Sequence, residues 1–494
     1  MLFRSVVGKS VFSGDINQND IYIGNKATAG YEDNAYSVMT IKAKCMVEIR
    51  NCIISGGYAD NPGVIGGRGG GINNNGPSLQ LVQVELRDNY ATNNGAGIYS
   101  VGNITASDCV FVNNRAENMG GGYYISSNLW RNQAVNTVFA ENSANSGSAM
   151  YIAGLTEGYY SGNTFSDNRS KFYGTLAVVQ SATQGNIVII NNTFANNILE
   201  SSPSVNTPLC GGAAVNINTA AASNIYLVNN TITGNINQYD NANFFGAAVH
   251  ISQGQLNLCN NIIAGNYSTS TAGGDVYVRA EGGKLLKSQY NIYTSAGNMN
   301  ISAGSLDFLS ANYVAGISAL ENLLDGKGEN NRFVPNLRDN GGKTPTIIVR
   351  TPHKYNQQDI NILGSQQLSE LSLGIDLNGN GIIEGYMGYD QRGVTRSLSN
   401  NKSTIGAFEY DGSEPSSANE LTENLSWNVY VNENKLHLQL SEDCRYELFD
   451  MNGSLKKTGY ADMKTIDISF LQSGIYVIKV TTGYEIKTKR FIKN

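Results

Sequence analysis

Two acidic residues occupy the same place in successive repeated phrases of the sequence, and they are the best candidates for acid–base chemistry. Glu141 and Asp167 each come two residues after a phenylalanine, with Arg115 and Arg169 nearby in register. If the phrases stack as neighbouring strands, the two backbones lie about 4.8 Å apart. Glycoside hydrolases use such paired carboxyl groups. A solvated corner explains the same residues, so we predict no catalytic centre and keep Glu141 and Asp167 as the alternative.

Tyrosines recur at another fixed place and could stack on sugar rings. Tyr99, Tyr124 and Tyr151 alternate with aliphatic residues in three successive repeats. This alternation places the rings on the outer face of a strand. Sugar rings have apolar C–H faces that pack on aromatic rings. Tyrosine also suits a half-exposed sheet face without any ligand, so both interpretations stay open.

Two insertions lengthen adjacent repeats at one corner. The spacing from the repeated asparagine to the next Gly-rich phrase is 5 to 7 residues in most repeats, but 14 after Asn197 and 11 after Asn235. Loops on one face of a solenoid often form its binding face. Decoration without a ligand is the alternative. The second loop and the residues just beyond it supply further ligand-binding candidates: Tyr239, Phe244, Phe245 and His250.

The segment DLNGNGIIE is the candidate metal site. Asp376, Asn378, Asn380 and Glu384 match positions 1, 3, 5 and 9 of an EF-type calcium loop. Position 12 would be Met387, where a bidentate carboxylate belongs, so a polar turn is the alternative to calcium. Three histidines and six scattered cysteines form no zinc motif, and we predict no other cofactor.

Composition excludes several classes of protein. The chain has 494 residues, of which only 15% are charged, and its net charge of −6 leaves no basic stripe for nucleic acid. No apolar run approaches the roughly 20 residues of a membrane helix. The opening MLFRSVVGKSVFSGD lacks the apolar core of a signal peptide. We therefore expect either a protein that stays inside the cell or a start that lies downstream of the true one.

A repeat of about 30 residues predicts the elements that position these side chains. Each repeat begins with an aromatic or aliphatic residue, two variable residues and an asparagine. A Gly-rich phrase follows, in which inward-facing and outward-facing residues alternate. Helical periodicity is absent. The pattern predicts an all-β parallel β-helix with one coil per repeat, and a sandwich with accidental spacing is the alternative. Two columns of asparagines should stack and hydrogen-bond from coil to coil, the first inside the solenoid: Asn89, Asn114, Asn142, Asn168, Asn197, Asn235 and Asn266, and then Asn163, Asn192, Asn230 and Asn261.

The paired phrases resemble the right-handed, pectin-lyase-like β-helix repeats of bacterial surface proteins, including the polymorphic outer-membrane protein group. Residues 336–410, with NLRDNGGKTPT, GYDQRGVTR and IGAFEY, are similar to the terminal segment of the choice-of-anchor Q family. That family's Ser-Pro-Ala-Ile-Asp-Ala-Gly phrase is replaced here by TPHKYNQQDINILGSQQ. We expect residues 1–33 to start the solenoid, 34–310 to form it, and 311–410 to be its C-terminal cap segment.

The last 70 residues have a different pattern. A polar linker at 411–424 is followed by alternating strands at 425–494, which predict a small β-sandwich. This tail resembles the type A C-terminal sorting domain of the type IX secretion system of Bacteroidetes. The resemblance implies recognition by the outer-membrane export machinery after a signal peptide has taken the chain across the inner membrane, which favours a truncated start. The matching residues are Asp450, Asn452, Gly453, Leu471, Gly474, Tyr476, Lys489 and Arg490.

These expectations combine into one predicted function. The chain should be a secreted or surface-anchored, adhesin-like or glycan-binding β-helix that is exported by the type IX machinery. A secreted polysaccharide lyase or glycoside hydrolase on the same fold is the alternative, because fold alone does not supply function. A purely structural surface component is a third class. The expected partners are the export machinery and a glycan or host-surface ligand, with no nucleic acid and no transmembrane segment.

Overall fold

Parallel strands wind into a solenoid in the computed structural model of the chain, and small sheets follow at the C-terminus. The predicted fold class is confirmed. The chain divides into two compact units, Met1–Gly412 and Ser413–Asn494. The structure describes residues 2–6, 9–23, 26–61, 63, 66–126, 132–154, 157–179, 185–200, 211–239, 246–269, 274–289, 291–295, 316–350, 354–355, 358–359, 389–396, 404–409, 429–432, 435–438, 444–450, 455–461, 465–472, 474–482 and 485–493.

Each coil contributes one strand to each of three parallel sheets. The first sheet contains Met39–Ile41, Ile72–Asn74, Ile98–Ser100, Tyr123–Ser126, Met150–Ala153, Leu176–Val179, Val215–Asn218, the start of Val249–Cys259, and Val276–Val278. The second contains Met46–Arg50, Ser78–Val82, Asn103–Ser107, Asn132–Val135, Glu157–Ser161, Asn186–Ile190, Asn224–Val228, the end of Val249–Cys259, and Gly283–Gln289. The third contains Lys9–Ser13, Cys52–Ser55, Glu85–Arg87, Val110–Val112, Val138–Ala140, Thr164–Ser166, Thr193–Ala195, Thr231–Thr233, Ile262–Ile263 and Ile292–Tyr293.

Shorter elements complete the first unit. Leu2–Val6 pairs antiparallel with Lys9–Ser13 at the N-terminal end, and Ile21–Ile23 pairs with Lys26–Ala29 before the 3₁₀ turn Tyr31–Asp33. Among the described residues, the solenoid is followed by the α-helix Ile317–Leu323, the hairpin Gly326–Glu329 with Arg332–Pro335, and the pair Lys354–Tyr355 with Gln358–Asp359. Two-residue strands mark one corner of successive coils: Tyr58–Ala59, Tyr90–Ala91, Arg115–Ala116, Arg169–Ser170, Ile198–Leu199, Ile236–Asn237 and Tyr267–Ser268.

The core of the solenoid is built from apolar columns. Inward positions of the three sheets pack into one continuous cluster. In the third sheet the inward column is a stack of phenylalanine rings with centroids 4.4 to 5.0 Å apart. Such offset-stacked contacts add to the burial of apolar area, which is the main driving force for folding. The stacked rings are Phe111, Phe139, Phe165 and Phe194.

Both predicted asparagine ladders are present. In the first, each Nδ2 donates to the Oδ1 of the next coil at 2.8 to 3.1 Å, from Asn89 through to Asn266. The second runs from Asn163 and continues beyond the prediction to Asn291. Every ladder asparagine also donates from Nδ2 to a backbone carbonyl, such as Asn142 to Phe111 at 2.8 Å. The ladders therefore satisfy the polar groups of the buried corners, which would otherwise carry unpaired donors and acceptors.

Residues after the solenoid lie along its side. Their apolar side chains, including Leu323, Ile347 and Phe408, pack against Ala195 and Ile262 on the outer face of the third sheet. Polar contacts join the same surfaces. The Thr193 hydroxyl donates to Gln391 Oε1 at 2.6 Å, and the fully buried Arg396 donates to Asn191 Oδ1 at 2.8 Å. The described part of the expected cap segment thus covers a lateral face of the later coils.

The described residues of the second unit form two antiparallel sheets. One has three strands, Val429–Asn432, Lys435–Leu438 and Thr465–Asp467. The other has four strands in the order Leu455–Ala461, Cys444–Asp450, Gly474–Thr482 and Glu485–Lys493. Their shared core includes Leu436, Leu448, Ile466, Ile468 and Ile478.

Candidate functional site

The tyrosine column lies on the outer side of the first sheet, as its alternation predicts. Tyr99 pairs in register with Tyr124, and Tyr124 with Tyr151, while the flanking aliphatic residues enter the core. The rings stack on one another, with centroids 5.5 Å apart in the first pair and 5.6 Å in the second. Ala177 takes the in-register position on the next coil, and the ring of Tyr173, at the corner before that strand, lies 6.5 Å from the Tyr151 ring.

The column is less accessible than we expected. Tyr99 and Tyr151 are 8% and 6% exposed, and Tyr124 is half-buried. Neighbouring rings occupy both faces of Tyr124, and the Arg68 guanidinium lies 5.0 Å from the Tyr99 centroid. A sugar therefore meets ring edges and hydroxyl groups here, not open ring faces. The cause is the strand spacing itself, since about 4.8 Å between coils brings identical rings into contact.

His250 belongs to the same outer column three coils later, but its side chain is fully buried. Its Nδ1 lies 3.1 Å from Asn216 Nδ2, and its ring centroid lies 5.5 Å from that of Tyr277. Burial, with a smaller contribution from Arg279, lowers the pKa of His250 to about 3. The imidazole is therefore neutral at physiological pH, and its burial corrects the expectation of an accessible ligand-binding histidine.

Tyr239 is also buried, which corrects the expectation that it projects from a loop. It packs with Leu199 and Ala213, and its hydroxyl donates to the carbonyl of Lys171. An apolar ring with a polar tip suits such a position, because the hydroxyl finds a partner while the ring is removed from water. Phe244 and Phe245 lie outside the described residues, as does most of both insertions.

The two candidate acids meet at one corner of the solenoid. Glu141 and Asp167 each follow the third-sheet strand of their coil and adopt φ of +54° and +56°, in a column shared with Asp88, Asn113 and Asn196. Asn and Asp tolerate this left-handed conformation better than other residues with side chains. Glutamate at this place is the less usual choice.

The electrostatics of this corner distinguish the two acids. Glu141 and Asp167 are exposed when each residue is taken as a whole. The carboxyl group of Asp167 is nevertheless surrounded by protein, and this burial raises its pKa to about 6, with a smaller contribution from the Glu141 carboxylate. The two arginines are engaged with other acids, Arg115 with Glu117 at 3.1 Å and Arg169 with Glu200 at 3.3 Å. The corner thus contains an acid whose pKa is raised towards neutrality beside a second carboxylate, with its cations already paired.

The candidate calcium ligands Asp376, Asn378, Asn380 and Glu384 lie outside the described residues. Within the described ranges, no group of three or more His, Cys, Asp or Glu side chains is arranged to hold a metal ion.

The predicted sorting motif is distributed over the second unit. Leu471 and Tyr476 are buried in its core, and the Tyr476 hydroxyl donates to the carbonyl of Gln472 at 3.0 Å. Asp450 pairs in register with Tyr476. Asn452 and Gly453 lie outside the described residues.

The basic end of the motif lies on an edge strand. Lys489 and Arg490 belong to Glu485–Lys493, the last strand of the four-stranded sheet, opposite Ile478 and Val477. Its partner strand begins at Gly474, which pairs with Lys493 at the end of the edge strand. Lysine and arginine are typical of sheet edges, because charge discourages pairing with a further strand.

Comparison with known protein families identifies the second unit. Residues 432–494 match the secretion system C-terminal sorting domain, so the predicted sorting domain is confirmed. Such a type IX tail indicates export to the cell surface or secretion. No curated protein and no solved structure matches the chain. None of the helices in the described part of the chain is both long and apolar enough to span a membrane.

Proposed function

We propose that the chain is an adhesin-like, glycan-binding β-solenoid that the type IX machinery delivers to the outer surface. The match of residues 432–494 to a sorting domain carries this proposal, because it accounts for the second unit and for the destination of the first. We also propose that the solenoid is related to the choice-of-anchor Q and polymorphic outer-membrane repeats, on the strength of its Gly-rich and Phe-x-x-Asn phrases. The source would then be a member of the Bacteroidetes.

The chemistry of the solenoid surface supports a carbohydrate ligand. Only 15% of residues are charged, and the sequence is rich in Asn, Ser and Thr, whose amides and hydroxyls can hydrogen-bond to sugar hydroxyls. Burial raises the pKa of Tyr124 and Tyr151, so their hydroxyl groups stay protonated and can donate. Tyr124 is the more accessible of the two. The tyrosine column thus offers a periodic row of donors to a periodic polymer.

A glycan array on the full chain, followed by calorimetry on its hits, tests this proposal. Tyr124→Phe removes the outward hydroxyl and keeps the ring stack, so it should weaken glycan binding without loss of stability. The matched control is Tyr123→Phe, because the Tyr123 hydroxyl points inward and contacts Asn132 Oδ1 at 3.1 Å. Equal affinity of wild type and Tyr124→Phe would exclude the tyrosine column as the binding face. Absence of any glycan hit would contradict the proposed function.

A secreted polysaccharide lyase or glycoside hydrolase is the second candidate. One observation favours it: two carboxyl groups, Glu141 and Asp167, lie at one corner, and the pKa of Asp167 is raised to about 6, closer to neutral pH than that of an ordinary carboxyl group. New reducing ends released from a bound polysaccharide, and lost in Asp167→Asn, would establish catalysis. Binding of the same polysaccharide without release of ends would leave the adhesin-like function alone.

A further inference from the structure

A cleft of about 200 Å³ separates one corner of the solenoid from the hairpin that follows its last coils. The solenoid side is the end of the column of two-residue strands, where Tyr267 is 40% exposed. The hairpin side is formed by residues around the turn between Gly326–Glu329 and Arg332–Pro335. None of the site residues predicted from the sequence lines this cleft.

Glycines in the corner column make room for the hairpin. Asn196 occupies the left-handed corner position in one coil, but Gly234 and Gly265 occupy it in the next two, with φ of +68° and +73°. A Cβ on Gly234 would lie 2.5 Å from Pro335 Cδ, and one on Gly265 would lie 3.2 Å from Phe333 Cδ1. The two glycines therefore let the hairpin pack closely on the solenoid beside the cleft, and binding sites are usually preformed in this way.

Arg332 lies in this cleft, whose lining also includes Glu329. The Arg332 Cζ lies 5.3 Å from the centroid of the Tyr267 ring. Glu329, its partner across the hairpin turn, pairs with Lys327 at 2.5 Å instead. Among the described residues no carboxylate lies within ion-pair distance of Arg332. Within the part of the chain that the structure describes, the Arg332 guanidinium therefore forms no ion pair, while the Glu329 carboxylate is held by Lys327.

We propose that this cleft binds the carboxylate-bearing sugar unit of an acidic polysaccharide, a polyuronate. A guanidinium matches a carboxylate with two parallel N–H donors, and contact with an aromatic face orients it while those donors stay free. The amides of Asn196 and Asn330 line the same cleft and suit sugar hydroxyls, and Val334 with Tyr267 supplies apolar contact. This inference rests on the proposed glycan-binding function and adds a site that does not include the tyrosine column.

The test compares two forms of one oligosaccharide on the full chain. Calorimetry is done with an oligogalacturonate and with its methyl-esterified form, which keeps the sugar rings and removes the charge. The variants are Arg332→Gln and Arg332→Lys. Arg50→Gln is the matched control, since Arg50 is an exposed arginine beside Glu48 on an early coil. Thermal melts check that each variant is folded.

We expect wild type and Arg50→Gln to prefer the acid form, and Arg332→Gln to bind it about tenfold more weakly or worse, at the level of the ester. Arg332→Lys should fall in between, because lysine keeps the charge and loses the fork. Unchanged binding in Arg332→Gln, or equal binding of acid and ester by wild type, overturns the cleft proposal and leaves the proposed function standing. Failure to bind these oligosaccharides or any array glycan overturns both.

Discussion

Asn142 is the side chain whose removal tests the interior ladder most severely. It is fully buried, and its Nδ2 donates to the Phe111 carbonyl at 2.8 Å and to Asn168 Oδ1 at 3.1 Å. Its Oδ1 accepts from the backbone N–H and the Nδ2 of Asn114, at 3.1 and 3.0 Å. Asn142→Ala therefore deletes four buried hydrogen bonds at once.

The expected loss follows from those four contacts. Each intramolecular hydrogen bond contributes about 1 kcal/mol net, and each buried group left unpaired costs a further 1–3 kcal/mol or so. The Asn114 Nδ2 still donates to the Leu86 carbonyl, whereas the Phe111 carbonyl loses this partner. We expect Asn142→Ala to lower the local free energy of unfolding by about 5–7 kcal/mol.

Hydrogen exchange measured by mass spectrometry on the full chain is the assay. Coils contact mainly their neighbours, so the loss of protection should concentrate between residues 111 and 197. The matched control is Asn118→Ala. Asn118 is only half-buried, and its Nδ2 donates one hydrogen bond, to Asn93 Oδ1 at 3.3 Å. We expect the control to cost less than about 1 kcal/mol. Equal protection in the two variants would refute the assigned role of the ladder.

Two further perturbations address the core and the buried histidine. Phe165→Ala removes a fully buried ring stacked between Phe139 and Phe194, and should cost about 3–5 kcal/mol in urea denaturation; a loss below about 1 kcal/mol would contradict the packing. His250 is neutral in the fold because its pKa is lowered to about 3, so the stability it contributes is present above pH 6.5 and is lost as the pH falls. The stability difference between wild type and His250→Gln should therefore shrink by about 2 kcal/mol from pH 7.5 to pH 5, and parallel pH profiles would contradict this.

The fold was predictable because the same types of side chain recur at the same positions of each repeat. Phenylalanine and asparagine recur in fixed order, and stacked coils bring equal positions together, so the ring stack and the amide ladders follow from spacing. The close stacking of Tyr124 on its neighbours could have been derived from the same spacing. What covers the outer column could not, since alternation shows which side a residue faces and not what packs against that side.

The segment that covers the third sheet could have been inferred by comparing the outward residues of different repeats. Outward positions of the third sheet are Glu85 and Arg87 on an early coil but Thr193 and Ala195 later. This change from charged to small residues indicates a covered face. The cleft has a similar sign in the sequence, because Gly234 replaces the asparagine of the preceding coil at the corner. The hairpin that packs there comes from a distant segment, however, and the repeat does not predict its position.

Delivery of the solenoid by its tail is the central claim, and one measurement tests it most directly. The full chain and a version ending at residue 410 are both expressed behind an inner-membrane signal peptide in a type IX-competent cell, and surface labelling of intact cells is quantified. We predict surface-exposed or released protein for the full chain. For the shorter chain we predict a folded solenoid retained in the periplasm. Surface labelling of the shorter chain at the level of the full chain would contradict the account.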